Sequence, residues 1–139
     1  NQKAHALGMK ETRFTDAAGV RSDNVSTPRD LLRLLTYLQE NRSFILRLSS
    51  GASVETAYTE HIFEDMTNFN EIPGLTGFVG GKIGKSTSAR ETAALLFRVE
   101  RDGEERTLAF IVLGTPSRAQ ALTELYRYIG ERYDIQPPR

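Results

Sequence analysis

The stretch PGLTGFVGGKIGKSTSARETAALLFRVERDGEERTLAFIVLG, residues 73–114, decides the fold of this 139-residue chain. Its first part carries Gly80-Gly81-Lys82-Ile83-Gly84, and two apolar runs follow at 92–99 and 107–113, joined by Asp102-Gly103. An Asp-Gly pair between two apolar runs is typical of a two-residue β-hairpin turn. Glycines beside a lysine leave a strand's backbone accessible, so a ligand can lie along the strand while the ammonium group points at it. We therefore interpret the segment around Lys82 as the site strand of the protein.

The first apolar run alternates in a way that predicts a central strand. One face carries Ala93, Leu95, Phe97 and Val99, and the other carries Thr92, Ala94, Leu96 and Arg98. Because the middle of the run is apolar on both faces, we expect helices to cover both sides of it. The second run, 107–113, is nearly continuous and short, which predicts a buried strand.

Helices are predicted before and after this hairpin. Residues 1–7 resemble the end of a helix that stops at Gly8, and Ser26 or Thr27 caps a second helix with Pro28 at its first position. The apolar stripe of that second helix is Leu31, Leu32, Leu35 and Leu38, and it ends near residues 40–41. A short third helix is expected from Phe44, Ile45 and Leu48, stopped at residues 49–51.

The last helix is capped by Ser117, and its apolar face is Ala121, Leu122, Leu125, Tyr126 and Ile129. An irregular hairpin is expected at 54–58 and 62–69. Helices first, then antiparallel strands closed by a helix, predict the α+β class as an α/β sandwich. A chain that begins inside a helix is also expected to be part of a longer protein.

Composition excludes several classes of partner. Eighteen basic residues balance eighteen acidic ones, so no net charge favours binding to nucleic acid. The chain has no cysteine and two histidines, His5 and His61, so we predict no metal site and no cofactor.

Four interpretations of residues 80–86 compete: an exposed glycine-rich loop, a phosphate loop, one wall of a serine acyl-enzyme site, and an edge that only binds peptides. The phosphate-loop motif needs four residues between its glycines and must open a helix. Gly80 and Gly84 enclose three residues, and a strand follows them. The phosphate loop is therefore rejected. The last two interpretations share an extended peptide added to a strand edge.

The whole chain resembles the second half of the catalytic domain of the serine D-alanyl-D-alanine carboxypeptidases, the low-molecular-weight penicillin-binding proteins. Five segments in the same order carry the resemblance: residues 1–14 (NQKAHALGMKETRF), 25–31 (VSTPRDL), 68–70 (NFN), 80–84 (GGKIG) and 109–114 (AFIVLG). The resemblance implies that residues 1–139 form one partial domain of the penicillin-recognising, β-lactamase-like fold. It also implies that the nucleophile motif Ser-x-x-Lys and the Ser-x-Asn loop lie upstream, so the chain alone is expected to be inactive.

The resemblance assigns roles to four consecutive residues of the site strand. Lys82 is the catalytic lysine, Gly84 allows close approach, and the Lys85 backbone N–H is one oxyanion donor. Ile83 occupies the substrate-binding position of the family threonine. Ala121 takes the position of a family arginine that binds the substrate carboxylate, while Arg118 lies near it but is expected to face elsewhere.

The function implied is that of a serine-type DD-carboxypeptidase, a hydrolase of peptidoglycan stem peptides located outside the bacterial cytoplasmic membrane. Its expected partners are a stem peptide or a β-lactam and the missing N-terminal half of the domain, and an exposed strand edge predicts self-association of the chain. The alternative is a non-catalytic relative that binds peptidoglycan or scaffolds a cell-wall complex. The departures at Ile83 and Ala121 predict weak discrimination in favour of a free terminal D-alanine.

Overall fold

The computed structural model describes residues 1–51, 70 and 75–136, which form four helices and a three-stranded antiparallel sheet. The strand predicted to be central, Arg90–Arg101, is the middle strand of this sheet. The predicted hairpin at 54–58 and 62–69 lies outside the described residues. The architecture is compatible with the predicted α+β class. The elements in chain order are α1 (Gln2–Ala6), α2 (Pro28–Asn41), α3 (Ser43–Ser49), β1 (Phe78–Ser86), β2 (Arg90–Arg101), β3 (Glu104–Thr115) and α4 (Arg118–Tyr133).

Helices cover both faces of β2, as its alternating pattern predicts. On one face, the buried side chains pack against α4, with the rings of Phe97 and Phe110 in edge contact at a centroid distance of 5.3 Å. On the other face, Leu96 packs against Leu35 of α2 and Leu46 of α3. The α4 cluster consists of Ile83, Ala93, Leu95, Phe97, Phe110 and Leu122.

The hairpin between β2 and β3 confirms the Asp-Gly prediction. Asp102 and Gly103 both have positive φ, 55° and 76°, and Arg101 pairs with Glu104 across the turn. Two consecutive positive φ angles match the right-handed twist of the strands.

Strand β3 is less buried than its apolar run predicts. Phe110 is 1% exposed, but Leu113 on the same strand is 40% exposed. In the described part of the sheet β3 pairs with β2 alone, so an apolar run here belongs to an edge strand.

Helix α2 begins as predicted, because the Thr27 side chain accepts a hydrogen bond from the backbone N–H of Asp30 and Pro28 occupies the first turn. The predicted stripe is wrong at Leu32, which is 47% exposed, while Leu35 is buried. Helix α4 is capped by Ser117 as predicted and runs from Arg118 to Tyr133.

The apolar face predicted for α3 is wrong. Phe44 and Ile45 are 45% and 39% exposed, and Leu46, which lies between them and Leu48, is buried at 2% exposed. The reason is that α3 packs on β1 and on the sheet through the side that carries Leu46. In a helix this short, periodicity alone does not determine which face is covered.

Asp30 ties the N-terminal loop to α2. Its side chain is almost completely buried and accepts hydrogen bonds from Thr12 Oγ1 and Glu11 N, both at 2.8 Å, and from Arg33 Nη1 at 2.7 Å. Burial alone would raise the pKa of this carboxyl group, but the hydrogen bonds from Thr12, Glu11 and Arg33 outweigh it and lower the pKa. Asp30 therefore has the structural role that its place at a helix start predicts.

Candidate functional site

The candidate site is the outer edge of β1, and its two adjacent glycines explain how closely that edge is packed. Gly80 and Gly81 have φ angles of 147° and 145°, a conformation that residues with a side chain rarely adopt. A methyl group at Gly80 would lie 2.3 Å from the carbonyl oxygen of Leu46 in α3, and one at Gly81 would lie 2.3 Å from that of Ala94 in β2. The Gly-Gly pair thus lets β1 pass between α3 and β2.

Side chains from outside the sheet hold the first half of the β1 edge. Ser49 Oγ accepts the N–H of Gly81 at 2.9 Å, and Asn70 Oδ1 accepts the N–H of Ile83 at 3.2 Å. Asn70 also donates to the carbonyl oxygen of Ser49 at 3.3 Å. In an antiparallel strand every second residue directs its N–H and C=O away from its neighbour, so Lys85 is the next residue to face this edge.

Lys82 lies on this edge with an exposed side chain. Its Nζ donates to the carbonyl oxygen of Ile83 at 2.8 Å, which places the ammonium group beside the edge-facing backbone. The side chain of Ile83 points the other way and belongs to the core cluster, at 9% exposed. The side chain of Ile83 is therefore turned away from a ligand on the edge, and its backbone N–H already donates to Asn70.

Gly84 lies between Ile83 and Lys85, whose backbone N–H groups face the edge. A methyl group here would lie 3.0 Å from Thr92 Oγ1 of β2, which is tight but less so than at Gly80 or Gly81. Lys82, Gly84 and Lys85 thus all lie in strand β1. The side chain of the fourth predicted site residue, Ile83, belongs to the core.

Glu91 forms a charge cluster with Lys85 and Arg118 at the far end of the edge. Its Oε1 pairs with Lys85 Nζ at 2.8 Å, and its Oε2 accepts the backbone N–H of Arg118 at 3.0 Å and lies 3.4 Å from Arg118 Nη1. The hydrogen bond from Lys85, followed by that from the Arg118 N–H, lowers the pKa of Glu91. The carboxylate is therefore ionised at neutral pH.

The expectation that Arg118 faces elsewhere is wrong. Its Nη1 lies 3.4 Å from the carbonyl oxygen of Gly84, directly beside the site strand. Strand β3 ends at Thr115, which pairs with Glu91 of β2. Helix α4 begins just after it, at Arg118, so the first residue of the helix lies close to Glu91 and to β1. The sequence does not single out Glu91; the one available signal is its position opposite Lys85 across the hairpin that joins β1 and β2.

Ala121 lies one turn further along α4 and is half-buried. It lines a depression of about 170 Å³, together with Thr115, Pro116, Ser117, Gln120 and Glu124. The residues that line this depression include no basic side chain.

No helix in the described ranges has the length and apolarity needed to cross a membrane.

Two curated relatives match parts of the chain. A D-alanyl-D-alanine endopeptidase of Haemophilus influenzae is 52% identical over 87 residues, which cover 57% of this chain and 30% of that protein. A D-alanyl-D-alanine endopeptidase of Pseudomonas aeruginosa is 63% identical over 35 residues, 25% of this chain and 11% of that protein. The chain thus spans less than a third of the length of these relatives. No family model and no solved structure matches it.

These names agree with the D-alanyl-D-alanine peptidase that the family resemblance implies. Both relatives are named as endopeptidases, so their names do not extend to the narrower prediction of a carboxypeptidase.

Proposed function

We propose that the chain is the C-terminal part of the catalytic domain of a serine-type DD-peptidase that cuts peptidoglycan peptides outside the cytoplasmic membrane. The observation that carries the proposal is the β1 edge, where the Lys82 ammonium group lies beside the outward-facing backbone of Ile83. The 52% identity to a D-alanyl-D-alanine endopeptidase supplies the chemical class of the substrate. The rest of the domain supplies the serine nucleophile.

The geometry of the edge suits an acyl-transfer reaction on an extended peptide. A peptide that adds to β1 as a further strand pairs with backbone groups beyond the positions that Ser49 and Asn70 occupy. The Lys85 N–H then faces the substrate and stabilises the oxyanion that forms when the serine attacks the carbonyl carbon. The Lys82 ammonium group contributes positive charge where negative charge develops and assists proton movement.

Within this class the site favours a substrate whose chain continues beyond the bond that is cut. Ile83 offers no hydroxyl group, and its side chain is packed in the core. Ala121 offers no cation to a terminal carboxylate. We therefore propose that the protein acts mainly as an endopeptidase on cross-linked peptides, in keeping with the names of its relatives, and that carboxypeptidase activity on a free terminal D-alanine is the weaker one.

The test uses the complete protein with two substrates, a cross-linked peptide dimer and the corresponding free pentapeptide. Products are separated by chromatography and identified by mass. We expect the dimer to be converted to monomers faster than the pentapeptide loses its terminal residue, and penicillin to block both reactions. A faster reaction on the pentapeptide would contradict the endopeptidase assignment, and penicillin-resistant turnover would contradict the acyl-enzyme mechanism.

A non-catalytic peptidoglycan-binding protein is the second candidate, because Ile83 and Ala121 both depart from the residues expected of a carboxypeptidase. This second candidate predicts that the complete protein lacks a Ser-x-x-Lys motif upstream of Asn1. It also predicts that the protein binds the dimer without converting it.

A further inference from the structure

We propose that Glu91 is a specificity-determining residue that disfavours ligands ending in a free carboxylate at the β1 edge. It does so by holding Lys85 and Arg118, the two cations at the end of the edge beyond Lys82, in ion pairs. The inference rests on the proposed function, because it names which chain ends that site accepts.

The two oxygens of Glu91 divide the two cations between them. Oε1 pairs with Lys85 Nζ at 2.8 Å, and Oε2 pairs with the backbone N–H and Nη1 of Arg118 at 3.0 and 3.4 Å. The side chains of Glu91 and Arg118 are 17% and 23% exposed, so this pair is largely shielded from water. Shielding makes the interaction stronger than that of a surface ion pair.

The pair lies beside the backbone that a ligand would use. Arg118 Nη1 is 3.4 Å from the carbonyl oxygen of Gly84, which lies between Ile83 and Lys85. This carbonyl oxygen faces β2, but the next residue, Lys85, faces the edge. A ligand group that pairs with the Lys85 backbone therefore binds next to the cluster that Lys85 forms with Glu91 and Arg118.

A carboxylate and an amide differ sharply in this position. A ligand carboxylate must compete with Glu91 for the Nη1 donor or lie beside a second negative charge, and like charges at close range repel. An uncharged amide faces no such repulsion. The second positive charge of the cluster is on Lys85, whose side chain is 72% exposed, so water and salt screen it.

Glu91 also has a structural contact, since it accepts the N–H of the first residue of α4. The Glu91→Gln variant separates the two roles. A glutamine side-chain oxygen still accepts this N–H, while the negative charge is lost and the guanidinium group becomes available. A structural role would change the reaction of all ligands alike, whereas a specificity role changes one ligand relative to another.

The experiment compares two acyl-D-alanyl-D-alanine peptides that differ only in their end, a free carboxylate in one and a carboxamide in the other. The ratio of their kcat/KM values is measured for the complete protein and three variants. We expect Glu91→Gln to raise the carboxylate-to-amide ratio about tenfold, the size of one hydrogen bond to a charged group. The double variant Glu91→Gln, Arg118→Gln should lose this gain.

The matched control is Glu131→Gln. It removes an ion pair with Arg127 at 3.1 Å on α4, where both side chains are about two-thirds exposed. The ratio should stay unchanged in this variant.

An unchanged ratio in Glu91→Gln, or a parallel fall of both rates, would overturn the inference while leaving the proposed function standing. Turnover of neither peptide by the unchanged protein would contradict the proposed function instead. In that case the ratio of the binding affinities for the two peptides is measured instead. An equal affinity ratio in the unchanged protein and in Glu91→Gln would overturn the inference.

Discussion

The hydroxyl oxygen of Ser49 accepts the backbone N–H of Gly81 at 2.9 Å, and this contact joins the end of α3 to the site strand. The same hydroxyl group donates to the carbonyl oxygen of Leu46 at 2.8 Å. Because Gly81 is buried, its N–H depends on this acceptor in place of water. This hydrogen bond fixes the backbone of Gly81 and therefore helps to position the next residue, Lys82.

Ser49→Ala should therefore lower the free energy of unfolding by about 1–3 kcal/mol, the cost of leaving a buried donor without its acceptor. The matched control is Ser50→Ala, which removes a hydroxyl group that donates to Arg47 O at 2.8 Å within the same helix but does not reach the sheet. This control should cost less than about 0.5 kcal/mol. Denaturant unfolding measures both, and equal costs would show that the joint to Gly81 contributes nothing.

Gly80→Ala should destabilise the protein much more than an alanine at another glycine of positive φ. The added methyl group would lie 2.3 Å from the Leu46 carbonyl oxygen, so overpacking of about 1–3 kcal/mol adds to backbone strain of similar size. The control, Gly19→Ala, has a φ of 73° and nothing within 4 Å of the added methyl group. It should cost only about 1 kcal/mol. Similar unfolding free energies for the two variants would contradict the close packing of β1 on α3.

Asp30 should make the stability of the protein sensitive to acid. Its pKa in the folded protein lies below the ordinary value of 3.8, since the hydrogen bonds outweigh burial. The stabilisation is therefore complete at pH values above 3.8 and is lost as the pH falls through the folded-state pKa.

The test is the free energy of unfolding measured from neutral pH down to pH values below 3.8. The Asp30→Asn variant should show a flatter decline in the acid range than the unchanged protein. The control Asp102→Asn alters a carboxylate that is 81% exposed in the β2–β3 turn and should preserve the steeper decline. Parallel curves for Asp30→Asn and the unchanged protein would refute the role assigned to Asp30.

Local signals in the sequence predicted much of this fold. Thr27 and Pro28 mark the start of α2, and Asp102-Gly103 marks the turn between two strands, because each depends on chemistry within a few residues. The alternation of β2 gave both of its faces correctly, since burial on the two sides of a strand leaves a period-two pattern.

The errors arose where distant contacts decide the outcome. Leu46 is buried because α3 meets β1 across 32 residues of sequence, as the Ser49–Gly81 contact shows, and periodicity in a seven-residue helix carries no information about that contact. Arg118 and Glu91 meet because the hairpin register and the start of α4 coincide in space. The motif around Lys82 located the strand, but the charge cluster next to it required the tertiary structure.

We propose that the β1 edge of this chain lines the active site of a penicillin-sensitive serine peptidase. The most direct measurement is the acylation rate of the complete protein by a fluorescent penicillin, compared among the unchanged protein, Lys82→Ala and a control at an exposed loop lysine, Lys10→Ala. We predict covalent labelling of the unchanged protein and of the control at equal rates, and a loss of roughly 100-fold or more in Lys82→Ala, the usual effect of removing a group that takes part in proton transfer or charge stabilisation. Equal labelling of Lys82→Ala, or no labelling of the unchanged protein, would contradict the claim.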